Sequence, residues 1–377
     1  MTVKELIARS KAAQAAFAFA TQEQADAAAR AICKVVYDNA EKLGPMAAEE
    51  SRMGSEQDKI AKCRNKSALI WESLKDKKSC DIINRIEERR MIEVAKPVGV
   101  VASIIPSTNP VVTPMSNGAF ALKCRNSVIF APHPRAVKCT KLLVEMFRAE
   151  LKKLGLPEDL VLGLEEVSND LTSELMSAAD MVVATGGMGM VKAAYSSGKP
   201  AIGVGQGNVQ CIIDEDADIA DAVGKIIIGR AFDNGLICLG EQTVFVPEDK
   251  EAEFVAEMKK QGGYLVEGEE NVDKLREGLF PGGGAFSRVV VGMFADQVSD
   301  EIGLGAPKGT RVLFAKAKAL GAGDVLCREK LCPVIAYMTY KTFKEGVAMM
   351  EANLEHEGKG HSIAVHSNTP ENVEYAA

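Results

Sequence analysis

The sequence repeats one local pattern: a short apolar segment, a loop rich in glycine or proline, and then a segment with helical spacing of its apolar residues. Residues 98–105, 127–131 and 180–184 are apolar segments of this kind in the first half of the chain. Strands that are apolar throughout are typical of parallel sheets covered by helices on both faces. The pattern therefore predicts an α/β fold built on a parallel sheet.

The same pattern restarts near Ala231, where residues 243–246 and 288–292 have the composition of strands, with helical segments between and after them. A chain of 377 residues is long enough for two or three domains of ordinary size. We therefore predict two Rossmann-type parallel-sheet domains, residues 1–230 and residues 231–377.

The first forty residues predict two amphipathic helices. Thr21 and Gln24 have the spacing of a capping box, in which each side chain accepts a hydrogen bond from the other residue's backbone N–H. Apolar residues then recur at helical spacing up to Val36. Gly44 and Pro45 are expected to end this second helix.

The composition restricts which kinds of partner the protein can bind and which cellular compartment suits it. The 45 lysines and arginines against 52 aspartates and glutamates give a formal charge of −7, whereas nucleic-acid binding needs a basic surface. No apolar stretch is long enough to span a membrane, and the N-terminal segment with Glu5 lacks the apolar core of a secretory signal. Nine scattered cysteines without disulfide spacing favour a cytoplasmic location.

Three loops carry residues suited to chemistry. Cys238 follows an Asn-Gly turn between a helix and a strand, where a thiol can be exposed and act as a nucleophile; a buried structural cysteine is the alternative. Asn109 follows the first apolar strand and is either an oxyanion donor or a turn former. Gly186, Gly187 and Gly189 precede a helix, which suits a phosphate or only a tight turn.

These loops belong to a larger set of motifs. The motifs are AKPVGVVASIIPSTNP (95–110), RNSVIFAPHPRA (125–136), ATGGMGMVKAAYSSGKP (184–200), FDNGLICLGEQ (232–242), EKLCPV (329–334) and EGKGHS (357–362). With these motifs in this order, the chain resembles the CoA-acylating branch of the aldehyde dehydrogenase superfamily along its whole length. The resemblance implies an aldehyde dehydrogenase-like fold, with nucleotide binding in residues 1–230 and catalysis in residues 231–377.

The resemblance implies an enzyme that oxidises an aldehyde reversibly to an acyl-CoA, with NAD or NADP as hydride acceptor. Cys238 is then the nucleophile, and Asn109 with the Cys238 N–H binds the oxyanion. Thr108 is assigned to the cofactor and is the alternative oxyanion donor. Glu329 matches the glutamate that binds the nicotinamide ribose. Succinate semialdehyde is the first-choice substrate; acetaldehyde and other short aldehydes are the alternatives.

One departure from the hydrolytic members gives a chemical reason for acyl transfer. Those members carry a water-activating glutamate before a Gly-Gly pair, whereas the matching residues 202–208 contain no carboxylate. Without a general base for water, a thioester on Cys238 should survive until the better nucleophile, a thiol, arrives.

A second departure concerns the adenosine site. The Lys and Glu that grip the adenine ribose in hydrolytic members are replaced by residues 131–135, which include Pro132, His133 and Arg135. Losing an acid here removes repulsion of a 2′-phosphate, and Arg135 would attract one. We expect these residues and the three glycines to bind NADP or NAD, or the adenosine of CoA.

His361 matches a histidine that the branch keeps near the thiol, and we expect it to accept a proton from Cys238 or CoA; a structural histidine is an equal alternative. A metal site with His366 is not expected, because an odd spacing along a strand sends the two rings to opposite faces. No metal is assigned.

The resemblance also implies a homodimer or homotetramer, with an oligomerisation hairpin near residues 80–97. Family chains continue beyond the segment that matches residues 362–377, so a truncated chain that binds cofactor without turnover is one alternative. An acyl-phosphate reductase, which shares the fold and a cysteine, is another.

Overall fold

The structure is a computed structural model that describes all residues, 1–377, and it divides into two compact units. The first comprises residues 1–52 and 56–205, and the second comprises residues 53–55 and 206–377. The predicted boundary at residue 230 lies inside the second unit. None of the helices is both long enough and apolar enough to cross a membrane.

The first unit contains a five-stranded parallel sheet in the order β5-β4-β3-β6-β7 and a two-stranded antiparallel hairpin. Its strands are β1 (Asp81–Ile86), β2 (Met91–Ala95), β3 (Val100–Ile104), β4 (Ser127–Ala131), β5 (Val161–Gly163), β6 (Met181–Thr185) and β7 (Ala201–Val204). Its helices are α1 (Val3–Phe17), α2 (Gln22–Asp38), α3 (Ala40–Ser51), α4 (Glu56–Leu74), α5 (Val112–Lys123), α6 (Val137–Lys153), α7 (Asn169–Ala178) and α8 (Met188–Tyr195).

Alternate residues of β3 and β4 pack into two separate hydrophobic cores, because successive side chains of a strand point to opposite faces of the sheet. Val100 and Ala102 pack with apolar residues of α1 and α7, whereas Val101 and Val128 pack with those of α2, α5 and α6. The sheet is therefore covered on both faces, which explains why its central strands are apolar throughout.

The second unit contains a six-stranded parallel sheet in the order β10-β11-β12-β9-β8-β13. Its strands are β8 (Val209–Ile213), β9 (Glu241–Pro247), β10 (Gly263–Leu265), β11 (Val312–Lys316), β12 (Val334–Tyr340) and β13 (Ile363–His366). Its helices are α9 (Ile219–Ala231), α10 (Glu251–Lys260), α11 (Glu269–Leu279), α12 (Ala295–Ile302), α13 (Phe343–His356) and α14 (Pro370–Ala376).

Two local predictions are wrong. Helix α2 ends at Asp38, and Gly44 and Pro45 lie inside α3. Gly44 is there for close packing, because a Cβ at this position would lie 2.6 Å from Cγ1 of Ile60 in α4. Residues 288–292 form no strand; they are an irregular segment that ends at Gly292, whose backbone makes hydrogen bonds to other loops.

Candidate active site

The loop that precedes Cys238 has an unusual backbone. Asp233, Asn234 and Gly235 have φ values of 50°, 53° and 72°, so three successive residues occupy the left-handed region. This conformation is costly for residues with a Cβ, although Asn and Asp tolerate it better than most. Buried hydrogen bonds must therefore hold the turn in place.

Those hydrogen bonds come from two distant segments. The Ser55 N–H donates to Asp233 Oδ1 at 3.1 Å, and Asn234 Nδ2 donates to the Gly292 carbonyl oxygen at 2.9 Å. The Gly54 N–H donates to the same carbonyl oxygen at 3.1 Å. Sequence reasoning identified neither segment, because nothing in their composition indicates this distant role.

Cys238 lies half-buried between this turn and β9. Gly207, which precedes β8, packs directly against it: a Cβ at Gly207 would lie 2.4 Å from the Cys238 carbonyl oxygen and 2.9 Å from the Cys238 Cβ. The Gly207 N–H in turn donates to Glu329 Oε1 at 2.8 Å. The structure thus brings two predicted residues, Cys238 and Glu329, into contact with one glycine.

The pKa of the Glu329 carboxyl group is raised, with burial as the largest cause and the neighbouring Glu357 carboxylate as a smaller one. The Gly207 N–H and the basic side chains of Arg230 and Lys330 lower the pKa without cancelling the rise. Glu357 holds the same segment through its carboxylate, which accepts from the Glu329 N–H at 3.1 Å and from Arg328 Nε at 3.2 Å.

His361 lies on the loop that begins at Glu357, and Asn208 connects the start of that loop to this cluster. Asn208 Nδ2 donates to the carbonyl oxygens of Cys327, at 2.7 Å, and Glu357, at 3.1 Å. The His361 N–H donates to the Gly358 carbonyl oxygen at 3.1 Å. His361 Nδ1 is buried and has no hydrogen-bond partner, and burial lowers the pKa of the ring. The ring is therefore neutral at neutral pH and able to accept a proton.

Two fully buried basic side chains, which sequence reasoning missed, fix the segment that carries Glu329. Arg230 Nη2 donates to the carbonyl oxygens of Lys330 and Cys332, and burial lowers its pKa to about 10. Lys330 Nζ donates to the carbonyl oxygens of Leu326, at 2.6 Å, and Arg328, at 2.8 Å. Burial lowers the pKa of Lys330 to about 7.

In the first unit, the candidate residues follow the carboxyl ends of three adjacent strands. Thr108 and Asn109 follow β3, Pro132 and His133 follow β4, and Gly186 follows β6. The chain leaves β3 toward β4 and later returns to its other side with β6, so the strand order reverses at β3. Such a reversal forms the crevice in which open α/β sheets bind their ligands.

Asn109 is held by a lysine on another element. Its Oδ1 accepts a hydrogen bond from Nζ of Lys62, in α4, at 3.0 Å. Its Nδ2 lies 3.4 Å from Thr108 Oγ1, near the limit of a hydrogen bond. The Asn109 carbonyl oxygen accepts from the Thr113 N–H in the first turn of α5 at 3.2 Å. Sequence reasoning did not identify Lys62.

The loop after β4 places a cation on the surface. Pro132 is buried, whereas His133 and Arg135 are exposed at the surface. His133 Nδ1 accepts from the Arg135 N–H at 3.1 Å, and partial burial, followed by the Arg135 charge, lowers the pKa of the ring. The structure thus leaves Arg135 exposed on the loop after β4, and its binding to a phosphate at the adenosine end of a nucleotide stays a prediction.

The three glycines of the β6–α8 loop differ. The Gly186 N–H donates to the Val204 carbonyl oxygen at 3.1 Å, so this amide is already used. Gly187 is the N-cap of α8, and Cβ atoms added at Gly187 or Gly189 would meet nothing within 4 Å. Protein packing therefore does not require glycine there, and the open space beside a helix N-terminus fits a phosphate group.

Comparison with known proteins gives the class. The model of the aldehyde dehydrogenase family matches residues 1–274. The chain is 47% identical over 376 residues to the acetylating succinate-semialdehyde dehydrogenase of Clostridium kluyveri, covering 100% of this chain and 83% of that protein. The chain belongs to the aldehyde dehydrogenase family.

Solved structures of acylating aldehyde dehydrogenases are similar to this chain along its whole length. An acetylating aldehyde dehydrogenase from Geobacillus thermoglucosidasius has a TM-score of 0.94 at 36% identity, covering 100% of this chain and 83% of that one. A propionaldehyde dehydrogenase from Rhodopseudomonas palustris, with bound CoA and an acylated cysteine, has a TM-score of 0.87 at 28% identity, covering 100% and 85%. The predicted α/β fold and the predicted membership of the acylating branch are confirmed.

Proposed function

We propose that the chain catalyses the reaction aldehyde + CoA + NAD(P)⁺ ⇌ acyl-CoA + NAD(P)H + H⁺, with succinate semialdehyde as the preferred aldehyde. The observation that carries the proposal is the half-buried Cys238 on a turn of three left-handed residues, packed against Gly207. Strain of this kind persists where a reactive group has to be held in one position.

We assign the first step to Cys238 and Asn109. The Cys238 thiolate attacks the aldehyde carbon, a C–S bond forms, and the carbonyl electron pair moves onto oxygen. The Asn109 Nδ2 and the Cys238 backbone N–H donate hydrogen bonds to this oxyanion. Each such donor typically contributes about 10²–10³ to the rate.

The second step leaves a thioester on Cys238. The thiohemiacetal oxygen reforms its carbonyl bond as a hydride leaves the former aldehyde carbon. A bound nicotinamide ring would supply the acceptor for this hydride. Glu329 is proposed to bind the nicotinamide ribose, because an acceptor-only carboxylate suits its hydroxyl groups. Gly187, Gly189 and Arg135 are proposed to bind the phosphate groups.

The third step transfers the acyl group to CoA. The CoA sulfur attacks the thioester carbon, the bond to Cys238 Sγ breaks, and the thiol proton moves to His361, which burial keeps neutral. Residues 202–208 contain no carboxylate. The Glu329 carboxylate beside Gly207 accepts a hydrogen bond from the backbone, which favours an anchored carboxylate over a base for water. Both points support thiolysis over hydrolysis.

The quaternary structure and the location are part of the same proposal. The hairpin of β1 and β2 exposes apolar side chains, among them Met91 at 52% and Ile92 at 51%. We propose that this hairpin pairs subunits into a homodimer or homotetramer and that the enzyme works in the cytoplasm. Sedimentation of an Ile92→Lys variant tests the pairing; an unchanged native mass would contradict it.

The test of the reaction is reduction of NAD⁺ or NADP⁺ by purified protein, with and without CoA. We expect turnover that needs CoA and is faster with succinate semialdehyde than with acetaldehyde or butyraldehyde. Equal turnover without any thiol would contradict the acylating assignment. Equal rates with the three aldehydes would contradict the proposal that succinate semialdehyde is the preferred substrate.

The nucleophile is tested with a matched pair of cysteine variants. Cys238→Ala should lower turnover by a factor on the order of 10⁴ or more and leave nucleotide binding intact. Cys124→Ala is the control, because Cys124 is the exposed cysteine of the chain and should have no role in turnover. Mass spectrometry of protein quenched with aldehyde should find the acyl group on Cys238; an adduct elsewhere would show that the nucleophile is wrong.

A further inference from the structure

Lys62 is an unusual residue for the place it occupies. It lies in α4 with only 4% of its surface exposed, although lysine side chains are rarely buried unless they are paired. Its Nζ donates to Asn109 Oδ1 at 3.0 Å. A buried ammonium group directed at the amide of a candidate oxyanion donor suggests a role in the reaction.

The chemistry of the two groups fixes the direction of the amide. An ammonium group carries donors and no acceptor, so the atom of Asn109 that faces Lys62 must be the carbonyl oxygen. Without such a partner, the oxygen and the nitrogen of an amide can exchange places by a flip. With Lys62 charged, Nδ2 must point the other way.

The nitrogen that points away is available to a ligand. Its nearest protein acceptor is Thr108 Oγ1 at 3.4 Å, longer than the 2.7–3.2 Å of ordinary N–H···O bonds. A charge on the oxygen side of an amide also polarises its N–H bonds, because hydrogen bonds in series strengthen one another.

We propose that Lys62 is a positioning residue for catalysis, which orients the Asn109 amide so that Nδ2 donates to the oxyanion. This inference rests on the proposed function of Asn109. It adds that Lys62 is the group that holds the Asn109 amide in place. Lys62 itself touches neither the aldehyde nor the cofactors in this proposal.

A double-mutant cycle tests the proposal. We expect Asn109→Ala to lower kcat by about 10²–10³. Lys62→Met should lower kcat by about tenfold in the wild-type background, with the KM values for CoA and nucleotide unchanged. In the Asn109→Ala background, Lys62→Met should change kcat by less than about twofold, because the amide it positions is gone. Equal losses in both backgrounds would overturn the proposal.

Two further variants separate orientation from stability. Lys62→Arg keeps a donor-only side chain and should recover most of the activity that Lys62→Met loses. Lys62→Gln can also present an acceptor to Asn109 and should resemble Lys62→Met; activity in the order Gln above Arg would overturn the proposal. If Lys62→Met does not fold, the same double-mutant cycle run with Lys62→Gln tests whether Lys62 acts through Asn109.

Lys59 provides the control for removing a buried lysine from α4. It lies one turn earlier and is 3% exposed. Lys59→Met should leave kcat within about twofold of wild type once the folded fraction is counted; a loss equal to that of Lys62→Met would overturn the proposal. CoA-dependent turnover by wild type and its absence in Cys238→Ala show separately whether the proposed function holds, so failure of the Lys62 cycle is distinguishable from failure of the reaction.

Discussion

The two units use glycine in opposite ways at their candidate sites. In the first unit, Gly187 and Gly189 border open space, and a Cβ added to either would contact nothing. In the second unit, Gly207 and Gly235 are enclosed: a Cβ at Gly207 would lie 2.4 Å from the Cys238 carbonyl oxygen, and one at Gly235 would lie 2.6 Å from the Cys332 backbone. Open glycines admit a ligand to the backbone, whereas enclosed glycines fix a nucleophile.

Gly235→Ala should have the largest effect. Its φ of 72° disfavours a side chain, and the new Cβ would overlap the Cys332 carbonyl group. Left-handed strain and overpacking together predict a loss of about 2–5 kcal/mol in the free energy of unfolding. Urea denaturation measures this loss. Gly303→Ala is the matched control, because Gly303 has a φ of 78° with nothing within 4 Å; an equal loss there would contradict the packing contribution.

Gly207→Ala should act mainly on catalysis. The added Cβ must displace the Cys238 backbone, and a shift of about 1 Å at a reacting group can cost about 10² in rate. We expect kcat to fall by about that factor, with a loss of about 1–3 kcal/mol in the free energy of unfolding. Steady-state kinetics and the rate of Cys238 alkylation measure the effect; unchanged values of both would show that Gly207 does not position the thiol.

The lowered pKa of Lys330 predicts that the free energy of unfolding depends on pH. Burial lowers its pKa from 10.5 to about 7, so between these values the unfolded chain binds a proton that the folded chain does not. The contribution of Lys330 to the free energy of unfolding should therefore rise with pH across this range, by about 1.4 kcal/mol per pH unit.

Denaturation at pH 7.5 and pH 8.5 tests this contribution by comparing proteins, because unfolded cysteine thiols, with an ordinary pKa of about 8.5, ionise in the same range and oppose the rise equally in wild type and variants. Lys330→Met should remove the contribution, so that the slope of the variant is lower than that of wild type. Lys341→Met, at an exposed lysine, is the control and should keep the wild-type slope. Equal slopes in all three proteins would show that Lys330 is charged in the folded chain.

Gly187→Ala should have the smallest effect on stability. A Cβ there meets no protein atom, so the free energy of unfolding should change by no more than about 0.5 kcal/mol. If the open space receives a nucleotide phosphate, the KM for NAD(P)⁺ should still rise several-fold. A loss of stability as large as that of Gly235→Ala would remove the contrast between the two units.

Much of the fold could be predicted because it depends on local patterns. Apolar strands, the loops after them and the capping box of α2 are properties of adjacent residues, and the structure contains them. The errors arose where distant contacts override local preference. Gly44 packs against Ile60 inside a helix, and residues 288–292 serve as a hydrogen-bonding segment instead of a strand.

The sequence alone determined the family, the central strands β3, β4 and β6 with the loops after them, and the candidate residues, because motifs and periodicity are local in the chain. Tertiary structure alone decided which groups hold those candidates. Lys62 meets Asn109, Gly207 joins Cys238 to Glu329, and residues 53–55 hold the turn before the thiol. These partners lie far apart in sequence, and only the packing of elements around buried polar groups that require hydrogen bonds brings them together.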